Sequence, residues 1–279
     1  MLIVTGMHRS GTSFVANLLK NIGGDFGDES LLMEKDRWNQ HGYYENWELV
    51  DANNRLILGK WLATAYHRIA VSGVRADVRS ILGGLLNIPA FAFPRVGMIT
   101  RRTEANALQM IALGQKYEAC VVKDVRFCIT IGAWRSLIGI PRVLFCYRHP
   151  HEVALSLKKR QHIPLRKGLA LWSFHITEFL RQTKGLPVAF VDFNRFFSPD
   201  TAAGAARRLF AFLNRTCTED DVARLMSETL DRELRHNIGD KAALPPEVDK
   251  LYRQLCGMHD QFATATPLQT GPGLSSQTG

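Results

Sequence analysis

The sequence predicts an α/β protein built on a doubly wound parallel sheet, and three observations lead to that fold class. Short, nearly continuous apolar runs recur along the chain, and longer stretches with helical periodicity separate them. A glycine-rich turn joins the first apolar run to the first helical pattern. Strand alternating with helix is typical of a parallel sheet whose two faces are both covered by helices.

The predicted strands are apolar runs rich in β-branched or aromatic residues. Because successive positions are apolar, both faces of each strand are expected to be buried. The four runs are residues 1–5, 119–123, 142–147 and 188–193. Apolar residues three and four positions apart predict helices around residues 14–22, 165–180, 209–213 and 248–262.

The chain has 279 residues and is predicted to form a single domain over residues 1–264. Residues 25–59 are rich in Trp, Tyr, Asn and charged side chains, which favours a decoration of the sheet. Residues 71–96 mix glycines and prolines with apolar side chains, as in a loop or a helical excursion. Residues 265–279 have no charge and no periodicity, which predicts a flexible tail.

Composition narrows the class of partner and the compartment. There are 35 Lys and Arg against 26 Asp and Glu, and the formal charge of +9 favours an anionic partner: a nucleotide, a nucleic acid or an acidic glycan. The five cysteines are scattered, which predicts reduced thiols, no metal site and a cytoplasmic location. No signal peptide or bilayer-spanning stretch is visible, so no stable membrane insertion is expected.

A glycine loop directly follows the first predicted strand. It reads GMHRSGTS over residues 6–13, with the G-x-x-x-x-G spacing of a Walker A loop. Such a loop turns backbone amides toward one anion at the positive end of a helix. A glycine turn that binds nothing is the alternative, but polar side chains crowd this one. The candidate phosphate-binding residues are Gly6, His8, Arg9, Ser10, Gly11, Thr12 and Ser13.

The loop departs from a Walker A sequence at its seventh position. Thr12 stands where a kinase or ATPase has its lysine, and the cation comes earlier, at Arg9. Enzymes that handle a magnesium-bound γ-phosphate use that lysine. The displaced cation therefore indicates a ligand with a different terminal group.

A second candidate anion site follows the third predicted strand. Arg148 comes at the carboxyl end of that strand, where open α/β sheets bind ligands. Pro150 suits the first turn of the next helix, and Ser156 follows Arg148 by eight residues. Arg148 and Ser156 can hold one phosphate together. An ordinary strand-to-helix junction with a solvated basic end is the alternative.

Together the two sites resemble those of the PAPS-dependent sulfotransferases, whose donor is 3′-phosphoadenosine 5′-phosphosulfate. In that family the first loop holds the 5′-phosphosulfate, and an Arg followed eight residues later by Ser holds the 3′-phosphate. Arg9, together with short matches at residues 42–45 and 123–126, is similar to the tyrosylprotein and bacterial carbohydrate-type branch. His8 replaces the usual Pro of the loop, and Val125 replaces the Pro of a Lys-Asp-Pro-Arg match.

The resemblance spans about residues 2–236 and implies a P-loop fold and in-line transfer of SO₃ from PAPS to a hydroxyl of a carbohydrate, lipid or small metabolite. PAP is released, and no metal is required. We assign Arg9 to the charge that develops on the leaving phosphate oxygen. The amides of residues 10–13, with the Thr12 and Ser13 hydroxyls, are assigned to the 5′-phosphate. Residues 25–100 would include an acceptor-side excursion or lid.

An acceptor hydroxyl also needs a base, and Glu45 is the predicted one. It follows Tyr43 and Tyr44, whose rings are expected to desolvate the carboxylate and raise its pKa. It also matches the Gly-x-x-Glu of the bacterial relatives. His41 is the second choice, and a surface carboxylate without a role is the alternative.

Other side chains are assigned less narrowly. Asp124 and Arg126 follow the second predicted strand and either shape the site or pair with each other. Arg235 and His236 are candidates for contact with the 3′-phosphate or the acceptor. Trp172 belongs to the apolar stripe of its helix, which favours core packing over substrate stacking.

Two other functions stay open at this stage. A P-loop nucleotide or small-molecule kinase shares the loop architecture but would have Lys at position 12. A non-catalytic polyanion-binding module is suggested by the charge of +9, although the basic residues are scattered. With the sulfotransferase interpretation, the expected partners are a small-molecule or glycan acceptor and no nucleic acid, and a homodimer is left open.

Overall fold

The sheet lies at the centre of the structure, a computed structural model that describes residues 1–34, 42–71, 94–140, 142–229 and 243–264. Within these residues it has four parallel strands in the order β2-β1-β3-β4. The strands are β1 (Leu2–Thr5), β2 (Val121–Lys123), β3 (Arg142–Tyr147) and β4 (Val188–Asp192). All four were predicted from the sequence, and three are one or two residues shorter than expected.

The strand order places a ligand crevice at the end of β1. The chain passes from β1 to β2 on one side and then returns to β3 on the other side. Val4 is paired with Lys123 of β2 and with Leu144 of β3, so the strands end along one edge. In open α/β sheets ligands bind outside the carboxyl ends of the strands where the strand order reverses. The glycine loop leaves β1 at this point.

Helices cover both faces of the sheet. Alternate residues of each strand point to opposite faces, so Ile3 and Phe145 join one core while Val4 and Leu144 join the other. The described helices are α1 (Thr12–Asn21), α2 (Trp47–Leu58), α3 (Lys60–Val71), α4 (Val96–Lys116), α5 (Phe127–Leu137), α6 (Pro150–Gln161), α7 (Leu165–Gln182), α8 (Pro199–Phe212), α9 (Glu219–Thr229) and α10 (Pro246–Thr264). The predicted α/β architecture with helices on both faces is confirmed.

The stretch that we interpreted as decoration belongs partly to the core, so that expectation was wrong. Leu49, Ala52 and Leu56 of α2 are buried in the same cluster as Trp172, whose core position is confirmed. Residues 35–41, 72–93 and 265–279 lie outside the described part of the chain. Within the described part, no helix is both long enough and apolar enough to cross a membrane.

Candidate active site

The glycine loop between β1 and α1 fits its surroundings only with glycine at both ends. A Cβ on Gly6 would lie 2.1 Å from the carbonyl oxygen of Cys146 on β3. Gly11 has a φ of +86°, and a Cβ there would lie 2.1 Å from the ring of Phe193. The loop is therefore held between β3 and the aromatic segment that follows β4.

The first turn of α1 presents backbone amides to the crevice. No side chain caps the helix at Gly11, so its orphan N–H groups are available to an external acceptor. The N–H of Ser10 donates to the Met7 carbonyl oxygen at 3.2 Å, which corrects our assignment of that amide to phosphate binding. The Ser10 hydroxyl is buried and has no hydrogen-bond partner among the described residues.

The structure brings the two predicted anion sites together. The Nε of Arg9 donates a hydrogen bond to the Oγ of Ser156 at 2.8 Å, although 147 positions separate these residues in the sequence. Arg9 has a φ of 71°, a left-handed backbone that turns it away from the helix axis of α1 and toward α6. A serine hydroxyl that accepts such a bond keeps its own hydrogen to donate. Ser156 can therefore contact Arg9 and a phosphate at the same time.

Arg148 is fixed along one edge of its guanidinium. Its Nε donates to Glu152 at 2.7 Å, and the same carboxylate accepts from the Nδ2 of Asn194 at 2.9 Å. The guanidinium lies 4.7 Å from the centroid of the Phe193 ring. Its Nη2 is buried and has no partner among the described residues. A buried N–H of a cation is costly to leave unpaired, so this edge requires an acceptor.

These groups fit a ligand that has two phosphates. The Ser10 hydroxyl and the Nη2 of Arg148 are both buried donors without a partner in the described structure. The uncapped start of α1 adds backbone donors at one end of the crevice. Ser156, at 6% exposure, connects the two ends. The described donors therefore lie at two places, the start of α1 and the Nη2 edge of Arg148, and each place can bind an anionic group.

Lys123 is a site residue that the sequence analysis did not assign. It is the last residue of β2 and is 2% exposed. Its Nζ donates to Glu45 Oε1 at 2.7 Å and to Ser13 Oγ at 3.2 Å. The cation that is missing at position 12 of the loop is thus supplied by the neighbouring strand. The sequence did contain a signal for this residue, a lysine at the end of an otherwise apolar strand, because a buried lysine needs a partner.

Glu45 has a different environment from the expected one. The ring of Tyr44 packs against Phe26 with centroids 5.2 Å apart, and the hydroxyl of Tyr43 accepts a bond from Arg160 at 3.2 Å. The Glu45 carboxylate instead forms the buried ion pair with Lys123. The expectation that tyrosine rings surround this carboxylate was wrong, although Glu45 does lie beside the phosphate loop.

Asp124 and Arg126 pair with each other and also shape the site. The Nη1 of Arg126 lies 3.0 Å from Asp124 Oδ1, and its Nε donates to Asn54 Oδ1 at 2.8 Å. Asn53 donates to the other carboxylate oxygen of Asp124 at 2.8 Å. Burial raises the pKa of Asp124, while the neighbouring guanidinium of Arg126 opposes that rise. This network fixes α2 beside the crevice, and Arg126 reaches within 4.0 Å of Glu45.

His8 turns from the loop toward α7. Its ring and that of His175 have centroids 6.4 Å apart and lie edge to face. Burial, followed by the proximity of His175, Arg126 and Lys123, lowers the pKa of His8 well below its ordinary value of 6.5. The imidazole is therefore neutral at neutral pH. His41, Arg235 and His236, the remaining candidates, lie outside the described residues.

Comparisons with known proteins give two structural similarities. No protein-family model matches the chain, and no curated protein matches it. The sulfotransferase domain from the curacin biosynthetic pathway is 13% identical, with 92% of this chain and 97% of that chain covered and a TM-score of 0.48. Sulfotransferase STF9 from Mycobacterium avium is 15% identical, with 94% and 75% covered and a TM-score of 0.41. We draw no functional conclusion from similarities at this level.

Proposed function

We propose that this protein is a PAPS-dependent sulfotransferase, which moves a sulfuryl group from PAPS to an acceptor hydroxyl and releases PAP. The observation that carries the proposal is the 2.8 Å hydrogen bond between Arg9 and Ser156. It joins the phosphate loop and the Arg148 site into one crevice. A loop alone suits any phosphate, whereas this crevice suits a nucleotide that has separate 3′ and 5′ anionic groups.

The 5′-phosphate of the donor is assigned to the uncapped start of α1 and to the hydroxyl of Ser10. The 3′-phosphate is assigned to the unpartnered Nη2 of Arg148 and to the hydroxyl of Ser156. Glu152 and Asn194 hold Arg148 in place from the opposite edge. The guanidinium of Arg148 is thus held in one orientation toward the phosphate, and its planar donor geometry suits phosphate binding.

In the proposed reaction the acceptor oxygen attacks sulfur, and the bond between sulfur and the phosphate oxygen breaks. The electron pair of that bond goes to the leaving oxygen of PAP. Arg9 and Lys123 flank the loop and stabilise the charge that develops there. Glu45 takes the proton of the acceptor hydroxyl. Lys123 holds the Glu45 carboxylate in place before that transfer.

Titration calorimetry of the metal-free protein tests the proposal. We expect PAP to bind in the micromolar range and AMP, which lacks only the 3′-phosphate, to bind about tenfold or more weakly. ADP and Mg-ATP are titrated beside them. Tighter binding of Mg-ATP than of PAP would instead identify a kinase, and Lys123 beside Ser13 would then take the part of the missing loop lysine. No binding of any nucleotide would refute a donor site in this crevice.

A further inference from the structure

The connection between α6 and α7 has a high density of positive charge. Residues 158–167, which we call the basic turn, contain five Lys or Arg side chains, and no acidic residue occurs from 153 to 177. Lys158, Lys159 and Arg166 are exposed. The unusual feature is a cluster of cations without neighbouring acids in the sequence.

Some exposed cations elsewhere on the described surface are paired with a carboxylate. Lys116, Arg207 and Arg253 each lie within 2.7 Å of a carboxylate oxygen. Within the described part of the chain, Lys158 and Lys159 form no ion pair with a carboxylate, and neither does Arg166. Within the described structure no paired carboxylate balances their charge, so it attracts anions from solution.

Two of these cations lie at the positive end of a helix dipole. Arg166 and Lys167 occupy the first turn of α7, which has no acidic residue. The N-terminus of a helix has a partial positive charge, so cations there are unfavourable for the isolated fold. An anion bound at the turn would offset this unfavourable placement.

The basic turn lies beside both halves of the proposed site. Ser156 and Arg160 are four residues apart on α6 and so share one face of that helix. Ser156 accepts the bond from Arg9, and Arg160 donates to the hydroxyl of Tyr43 at 3.2 Å. Tyr43 precedes Glu45 by two residues. Through these contacts α6 bonds both to the donor loop and to the segment that leads to Glu45.

The turn connects two closely packed helices. His162 follows the last residue of α6 with a φ of 55°, which reverses the chain, and Ile163 is buried. A Cβ on Gly168 would lie 3.0 Å from Ala154, so α7 crosses α6 at close range. The cations are thus presented on a packed helix pair.

We propose that the basic turn binds an anionic group of the acceptor and that the acceptor is an acidic saccharide, which has carboxylates or sulfates beside its hydroxyls. This inference rests on the proposed function. Each unit of such a saccharide has both a charge for the turn and a nucleophile for the site beside Glu45. Residues 153–167 themselves contain no Phe, Tyr or Trp, the side chains on which single-stranded nucleic acids stack.

The test measures binding of trigalacturonic acid and of neutral maltotriose to the full chain saturated with PAP. The double variant Lys158→Gln/Lys159→Gln is compared with Lys184→Gln/Lys250→Gln, which removes the same charge from exposed sites elsewhere. We expect the acidic trisaccharide to bind about tenfold more tightly than the neutral one. The first variant should weaken this binding about fivefold or more, and the control should change it less than about twofold.

Three results would overturn this inference. Equal losses in both double variants would show an effect of net charge alone. A loss of PAP affinity in the first variant would assign the turn to the donor instead. Tighter binding of an oligothymidylate or of a Glu-rich peptide than of the acidic saccharide would identify another class of partner. Failure of the proposed function is seen separately, because PAP would then not bind to the unaltered protein.

Discussion

Replacement of Arg148 by lysine separates the role of its charge from that of its planar fork. The guanidinium uses Nε for Glu152 at 2.7 Å and has Nη2 buried without a partner in the described structure. A lysine ammonium keeps the charge but cannot serve Glu152 and a phosphate in the same fixed geometry. A hydrogen bond to a charged group contributes about 1.5–3 kcal/mol, so the Kd for PAP should rise about 10-fold to 150-fold.

Calorimetric titration with PAP and with AMP measures this effect on Arg148→Lys. Because AMP has no 3′-phosphate, its Kd should change less than about twofold. Arg135→Lys is the matched control, since Arg135 donates to the carbonyl oxygens of Gln182 and Lys184. These carbonyls lie at the end of α7 and just after it, on the side of the amino ends of the strands. The control substitution should leave the Kd values of PAP and AMP unchanged.

Two results would refute the assignment of Arg148. An equal loss of PAP and AMP affinity would show that the residue supports the crevice in general and does not bind the 3′-phosphate. Unchanged PAP affinity would show that the phosphate lies elsewhere. Thermal unfolding of the variant checks that Glu152 keeps a cationic partner, because a buried carboxylate without one would lower the melting temperature.

Four further changes test other parts of the account. Arg9→Ala should lower kcat for sulfuryl transfer about 100-fold or more with a smaller effect on the Kd of PAP, and equal effects on both would reduce Arg9 to a binding residue. Glu45→Gln should lower kcat about 100-fold, and normal turnover would remove it from the mechanism. Asn53→Ala deprives three buried groups of hydrogen bonds, so chemical denaturation should show a loss of about 3–4 kcal/mol. His8 has a lowered pKa in the folded state, so unfolding binds a proton below pH 6.5 and stability falls as the pH falls. His8→Gln should flatten that dependence by about 1.4 kcal/mol per pH unit, and an unchanged slope would contradict the lowered pKa.

The strands and the loop were predictable because their signals are local. The strands are buried on both faces, so their sequences are nearly continuous apolar runs, as in residues 143–147. Gly6 and Gly11 have roles that only glycine can fill, and their spacing is visible in the sequence. Arg148 and Ser156 could be proposed as a pair for a similar reason, since one strand and one helix fix their separation.

The rest of the site depends on contacts between distant segments. Lys123 bonds to Glu45 and Ser13, which come from two other parts of the chain. The sequence therefore could not show the ion pair or its position. Asn53 is buried because it bonds to side chains of the segment after β2. From the sequence alone, an asparagine at this position is expected on a polar, exposed face. For that reason α2 was interpreted as decoration when it is part of the core.

A crystal structure of the protein with PAP shows directly whether one site holds both phosphates. We predict that the 3′-phosphate lies within hydrogen-bond distance of Arg148 Nη2 and Ser156 Oγ, and that the 5′-phosphate lies at the start of α1. Both phosphates in one crevice at the end of β1 would establish the donor site. PAP bound elsewhere, or with its 3′-phosphate away from Arg148, would contradict the account.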